Sequence, residues 1–113
     1  NISRAIDDMF KSEGNALPTP SLIISQVCKF YSVDENVLRG TLKNKGVAEA
    51  RQMAMYLIRK LTNLSLPEIG KEFGRDHSTV LYAIRKVEVA LKNGHTTVQN
   101  NIRDITANIN SCL

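Results

Sequence analysis

The sequence predicts an all-α domain organised around a helix-turn-helix, on three observations. Apolar residues recur at i, i+3, i+4 and i+7 along most of the chain. Aromatic residues are only 5% and Trp is missing, so a core of Leu, Ile, Val, Ala and Met suits helices better than a sheet. Residues 65–91 read as a short capped helix, a tight Gly turn and a longer helix. The chain has 113 residues, 42% hydrophobic and 23% charged, which suffices for one domain with a modest core and is not a disordered composition.

The elements follow in order. Residues 1–12 place Ile2, Ile6, Met9 and Phe10 on one helical stripe before Gly14, Pro18 and Pro20 break the chain. Residues 1–18 are therefore expected to be a connector helix and linker, and residues 19–113 the domain itself. The chain begins at Asn1 rather than Met, and a fragment of something larger is expected. Thr19-Pro20 is a helix start, an N-cap followed by Pro in the first turn. That helix should run to about Tyr31, with Ile23, Ile24, Val27, Phe30 and Tyr31 on its apolar side. Asp34 is placed to cap a short helix through Arg39, closed by Gly40. Residues 40–46 hold two glycines and two lysines without periodicity, which predicts a basic loop.

A long helix is predicted from about Val47 to Thr62. Val47, Ala50, Ala54, Leu57, Ile58 and Leu61 cover one arc, and Arg51, Gln52, Met55 and Arg59 fall opposite. Ser65-Leu66-Pro67-Glu68 then carries three start signals: a cap, a Pro in the first turn and a capping-box Glu. Leu66, Ile69 and Phe73 form its stripe, and Gly74 stops it after about two turns. Asp76 can cap the next helix, about His77–Lys92, whose buried stripe is Val80, Ala83, Ile84, Val87 and Leu91. After Asn93-Gly94, a last helix over about Thr97–Asn110 holds Val98, Ile102, Ile105 and Ile109 on one face.

Charge narrows the function. The net charge is +4, and between Arg39 and Lys60 the basic residues Arg39, Lys43, Lys45, Arg51, Arg59 and Lys60 face one acid, Glu49. Cys28 and Cys112 form no Cys-x-x-Cys pair and are expected to be reduced thiols of an intracellular protein. No run is long enough to span a membrane and no signal peptide is visible. His77 and His95 lack Cys or His neighbours at metal-ligand spacing, and no catalytic constellation stands out, so neither a metal site nor an enzyme is expected.

In a helix-turn-helix the first helix crosses the DNA backbone and the amino end of the second points at base edges. Arg75-Asp76-His77-Ser78-Thr79 occupies that end. Asp76 can accept from a cytosine amino group, His77 can donate to or accept from base edges, and the small Ser78 and Thr79 can approach bases or phosphates closely. Taken singly, Asp76 reads better as an N-cap than as a base contact, and it can do both. Tyr82, Arg85 and Lys86 avoid the buried stripe, and the two cations can reach phosphates or simply be solvated. Lys43 and Lys45 can enter a minor groove or bind phosphates from their loop, and Arg51, Gln52 and Arg59 can lie along the backbone.

These residues carry a family resemblance. Arg51-Gln-Met-Ala-Met-Tyr-Leu57, Leu61-Thr-Asn-Leu-Ser-Leu-Pro-Glu-Ile-Gly70 and Phe73-Gly-Arg-Asp-His-Ser-Thr-Val80 resemble the carboxy-terminal DNA-binding domain of the bacterial replication initiator DnaA, over about Pro20 to the end. The resemblance implies a Trp-repressor-like helix-turn-helix that binds duplex repeats, the DnaA boxes, at the replication origin, as a monomer. Asp76, His77 and Ser78 match base-reading positions, and Leu66 and Pro67 match positions that touch thymine methyls. Thr79, Arg51, Gln52, Arg59 and Ser65 match or lie at backbone-contact positions, and Lys43 falls where a basic residue enters the minor groove. Arg75, Lys45, Arg85 and Lys86 complete the expected backbone contacts.

The partners implied are double-stranded DNA and regulatory proteins, in a bacterial cytoplasm at the nucleoid. ATP is implied only for an ATPase domain that this chain lacks, since no Gly-x-x-x-x-Gly-Lys-Ser/Thr loop occurs here. The chain departs from the common pattern in four places. Its loop is less Arg-rich, Glu49-Ala50 replaces Arg-Pro, Gly74 stands alone where two glycines are common, and Ser78 replaces Thr. A helix-turn-helix transcription regulator and a helical protein-interaction module with a basic face are the alternatives.

Overall fold

The computed structural model describes residues 17–40 and 44–113. The expected connector helix at residues 1–12 and the expected minor-groove residue Lys43 lie outside the described residues. Six helices, and no strand, occur among those described: α1 Pro20–Tyr31, α2 Glu35–Arg39, α3 Lys45–Leu61, α4 Leu66–Phe73, α5 His77–Lys92 and α6 Thr96–Ser111.

Five of the six helices among the described residues start where a side chain satisfies an otherwise orphaned amide. Thr19 accepts from the Leu22 amide at 3.1 Å and Pro20 follows it. The cap of α3 is Asn44, which accepts from Val47 at 2.9 Å, so the helix begins at Lys45 rather than Val47. Lys45 therefore stands in a helical first turn and not in the expected loop. Asp34 holds the N-cap position of α2 but makes no side-chain cap bond, and Gly40 ends that helix with an extended φ of −87°. The cap of α6 is His95, whose Nδ1 accepts from Val98 at 3.4 Å.

The core gathers around α3, which packs against all five other helices. That position explains two departures from the sequence pattern. Met55 is 1% exposed and Arg51 9%, although both fall opposite the apolar arc. A helix surrounded by neighbours buries more than one arc, so Met53 and Tyr56 are enclosed as well. Phe30 departs the other way: it is 37% exposed and meets the Tyr31 ring edge-on at 5.2 Å. The remaining interior follows the stripes, with Ile23, Ile24, Val27, Ile69, Phe73, Val80, Ala83, Ile84, Val87, Ile105 and Ile109 all buried. Leu91, Val98 and Ile102 are partly buried against them.

No helix among the described residues is long and apolar enough to cross a membrane. Both cysteines are free thiols, Cys28 buried and Cys112 exposed, and burial pushes the Cys28 thiol above its ordinary pKa.

Beyond α1 the chain turns at Ser32, which holds φ 57° while its amide and that of Val33 bond to the Cys28 carbonyl. A left-handed conformation costs an L-residue about 1–2 kcal/mol, and the extra freedom of an unfolded glycine offsets about half of that. Ser32→Gly should therefore stabilise the fold by about 0.5–1 kcal/mol. Urea denaturation with an unchanged m-value would register it as a higher midpoint.

Candidate nucleic-acid interface

The reading end is built by α4, its turn and the start of α5. A reciprocal capping box opens α4: Ser65 Oγ accepts from the Glu68 amide at 3.3 Å, and Glu68 Oε1 accepts from the Ser65 amide at 2.8 Å. The bond from the Ser65 amide, with the Ser65 hydroxyl next, holds the Glu68 carboxyl below its ordinary pKa. Leu66 leans partly onto the core, and Pro67 and Ser65 stay exposed beside it.

The turn into α5 is tight because two glycines allow it. Gly74 takes the left-handed region at φ 63° and ends α4. Gly70, on the last full turn of α4, lies directly under the Arg75 backbone. The Arg75 amide donates to the Gly70 carbonyl at 2.9 Å, and any Cβ on Gly70 would collide with the Arg75 carbonyl oxygen. The backbones of the two helices thus approach closely only because position 70 has no side chain.

Asp76 then caps α5. Its Oδ1 accepts from the Thr79 amide at 2.9 Å, and that backbone bond is the first cause holding the carboxyl below its ordinary pKa. His77, Ser78 and Thr79 are exposed, whereas Val80 is fully buried. Helical spacing extends this division along α5. Ser78, Tyr82 and Arg85 share one exposed face, with Thr79 and Lys86 beside it, while Val80, Ala83, Ile84 and Val87 fill the core. Tyr82 is 65% exposed.

Other predicted residues divide into two groups. Lys45, Gln52 and Lys86 come together around one groove of about 370 Å³ between α3, α5 and the start of α6, with Glu49 among them. Arg59 is exposed and its Nη1 donates to the Leu64 carbonyl at 3.0 Å, bracing the entry to α4.

Arg51 and Arg75 are placed differently. Arg51 does not lie on the expected solvated face. Its Nε donates to the Leu38 carbonyl at 2.9 Å and its Nη2 to the Gly40 carbonyl at 3.1 Å. Burial first, and then the charge of Arg75, lower its pKa. Arg75 is half-buried, with Nη1 donating to Phe73 O at 2.9 Å and Nη2 to the same Gly40 O at 2.7 Å. Arg39, one residue earlier, reaches the Glu72 carbonyl at 2.6 Å and the Glu72 carboxylate at 3.2 Å. These contacts join α2 to the helix-turn-helix. No spacing signal in the sequence announces them, because carbonyl acceptors are common to every residue.

Comparison with known proteins places this geometry. The family model for the bacterial DnaA protein helix-turn-helix matches residues 20–87. The chain belongs to that family. Chromosomal replication initiator protein DnaA of Corynebacterium aurimucosum is 42% identical over 94 residues, covering 82% of this chain and 17% of the relative. Its counterpart from Leifsonia xyli subsp. xyli is 36% identical over 109 residues, covering 96% and 23%. The chain thus spans about a fifth of the length of these relatives. A crystal structure of a DNA replication initiation factor superposes with a TM-score of 0.68 at 36% identity, covering 80% of this chain and 29% of that one. AMPPCP-bound DnaA from Aquifex aeolicus gives 0.61 at 37% identity, covering 80% and 28%.

The DnaA helix-turn-helix is a DNA-binding module of bacterial replication initiation. The family match runs from α1 to Val87 of α5, so it includes both helices of the motif and the struts from Arg39, Arg51 and Arg75. It describes a helix-turn-helix and not an ATPase, and no enzymatic activity is assigned to these residues.

Two predictions follow from the turn and its cap. Gly70→Ala must separate the Arg75 backbone from α4, and overpacking of that kind costs about 1–3 kcal/mol. Thermal unfolding should show a lowered midpoint. The Asp76 carboxyl should titrate below a free aspartate, whose pKa is about 3.9. Because its folded pKa is depressed, the cap's contribution is complete above that value and is lost as pH falls through the lower folded one. Carboxyl NMR titration of wild type and Thr79→Pro, which removes the donor, reads this directly.

Proposed function

We propose that this module reads DnaA-box repeats in duplex origin DNA, one copy per repeat, with the amino end of α5 in the major groove. The observation that carries this reading is the abrupt change along α5: Asp76, His77, Ser78 and Thr79 exposed at the tip, Val80 sealed in the core immediately behind them. A tip held by the core at its base and open at its end can enter a groove about 12 Å wide without losing the fold. His77 and Ser78 are the base readers on this reading. Asp76 contributes its second carboxylate oxygen while the first remains on Thr79. Leu66 and Pro67, in the first turn of α4, meet thymine methyl groups on this reading, and Lys43 enters the minor groove.

Phosphate anchoring falls to exposed Lys45 and Lys86 and half-buried Gln52 around their groove, and to the exposed Arg59 and Ser65 near the start of α4 and Thr79 and Arg85 along α5. Each neutralised phosphate adds salt-sensitive affinity without sequence information. The setting is the chromosome in a bacterial cytoplasm. ATP, on this reading, belongs to the part of the initiator outside this chain, and these residues need no cofactor.

Anisotropy titrations with a DnaA-box duplex and a scrambled duplex at two salt concentrations test the proposal. Wild type should prefer the box. His77→Ala should lose about 1–3 kcal/mol of that preference with little change in salt slope. Lys86→Ala should weaken both duplexes alike and reduce the slope by about 1. Equal affinity of the wild-type module for the two duplexes would refute box reading.

A further inference from the structure

The carbonyl oxygen of Gly40 receives two guanidinium groups, from Arg51 at 3.1 Å and from Arg75 at 2.7 Å. Gly40 follows α2, Arg51 belongs to α3, and Arg75 immediately precedes the cap of α5. One backbone atom therefore ties α3, through Arg51, to the tip of the recognition helix, through Arg75, although Gly40 and Arg75 are 35 apart in sequence. The Arg75 guanidinium is also held at its other nitrogen, Nη1, by Phe73 O at 2.9 Å. Its planar fork thus spans two carbonyls belonging to different parts of the fold. A lysine ammonium has the charge but not the fork.

We infer that Arg75 is a positioning residue for DNA selectivity: it fixes the tip at Asp76–Thr79 against Gly40, and with it the register between α3, which carries Lys45 and Gln52, and the base readers, rather than neutralising a phosphate. Arg51 serves the same joint from the other side, since its Nε holds Leu38 O at 2.9 Å while its Nη2 shares Gly40 O. A box is recognised only when the tip meets its bases while Lys45 and Gln52 of α3 meet the backbone. A scrambled duplex requires no such register. Loss of the fork should therefore affect the two duplexes unequally. This inference rests on the box-reading proposal for its binding arm, and has a second arm that does not.

The binding arm compares Arg75→Lys and Arg75→Ala with wild type on box and scrambled duplexes over a range of salt. A positioning fork predicts that both variants lose box affinity by about tenfold or more, the worth of one well-placed base contact, with scrambled affinity and salt slope unchanged. A phosphate contact predicts the reverse: Arg75→Lys keeps the box preference, and Arg75→Ala weakens both duplexes alike with a slope reduced by about 1. That result overturns the inference, as does wild-type behaviour of both variants. The second arm uses wild-type protein without DNA. NMR of the arginine guanidinium groups should show rotation about the Arg75 Cζ–Nε bond already slowed in the free protein. Fast rotation there would also overturn the inference. If wild type fails to prefer the box, box reading falls, while the guanidinium measurement still decides whether the fork exists.

Discussion

The close approach of Gly70 to the Arg75 backbone is the constraint on which the rest of this module depends. It sets how tightly α5 leaves α4, because the Arg75 amide bonds to Gly70 and the missing Cβ at Gly70 leaves room for the Arg75 carbonyl. The direction of the Arg75 side chain follows, and with it the fork to Phe73 and Gly40. The position of Asp76 as a cap follows too. Gly74 supplies the left-handed φ that closes α4, but a Cβ there would meet nothing within reach. The two glycines thus do different work: one permits a backbone conformation, the other a backbone contact.

Local signals were legible in the sequence, and long-range ones were not. Thr19-Pro20, the Ser65–Glu68 box, Gly74 and Asp76 each act within a few residues, and each sits where its local chemistry predicts. The exposed tip at residues 76–79 was readable for the same reason. The face of α3 was not. A helical wheel gives the direction of a side chain but not how many helices surround it, so Arg51 and Met55 appeared solvated. Asn44 and His95 were missed as caps because lysines and a glycine obscured the first start, and histidine is an uncommon N-cap at the second.

The basic stretch between Arg39 and Lys60 also changes meaning once folded. Arg39 pairs with Glu35 at 3.5 Å and Glu72 at 3.2 Å, and Arg51 is turned inward. Lys60 lies 3.7 Å from Glu88 and 5.7 Å from the centre of the Tyr56 ring. Part of the apparent charge excess therefore joins helices to one another, although pairs as exposed as Lys60–Glu88 contribute little stability. Positive charge in a sequence marks a candidate nucleic-acid binder, but the geometry separates cations that face outward, such as Lys45 and Lys86, from those that hold the scaffold.

The bond from the Thr79 amide to Asp76 has a consequence for observing the module at work. An amide held by an exposed side chain exchanges its hydrogen with solvent whenever that side chain swings away, without global unfolding. The Thr79 position is thus a built-in clock for the opening of the first turn of α5. A duplex seated over the tip would slow it, while the amides of Ile84 and Val87 would keep the slower pace of the interior.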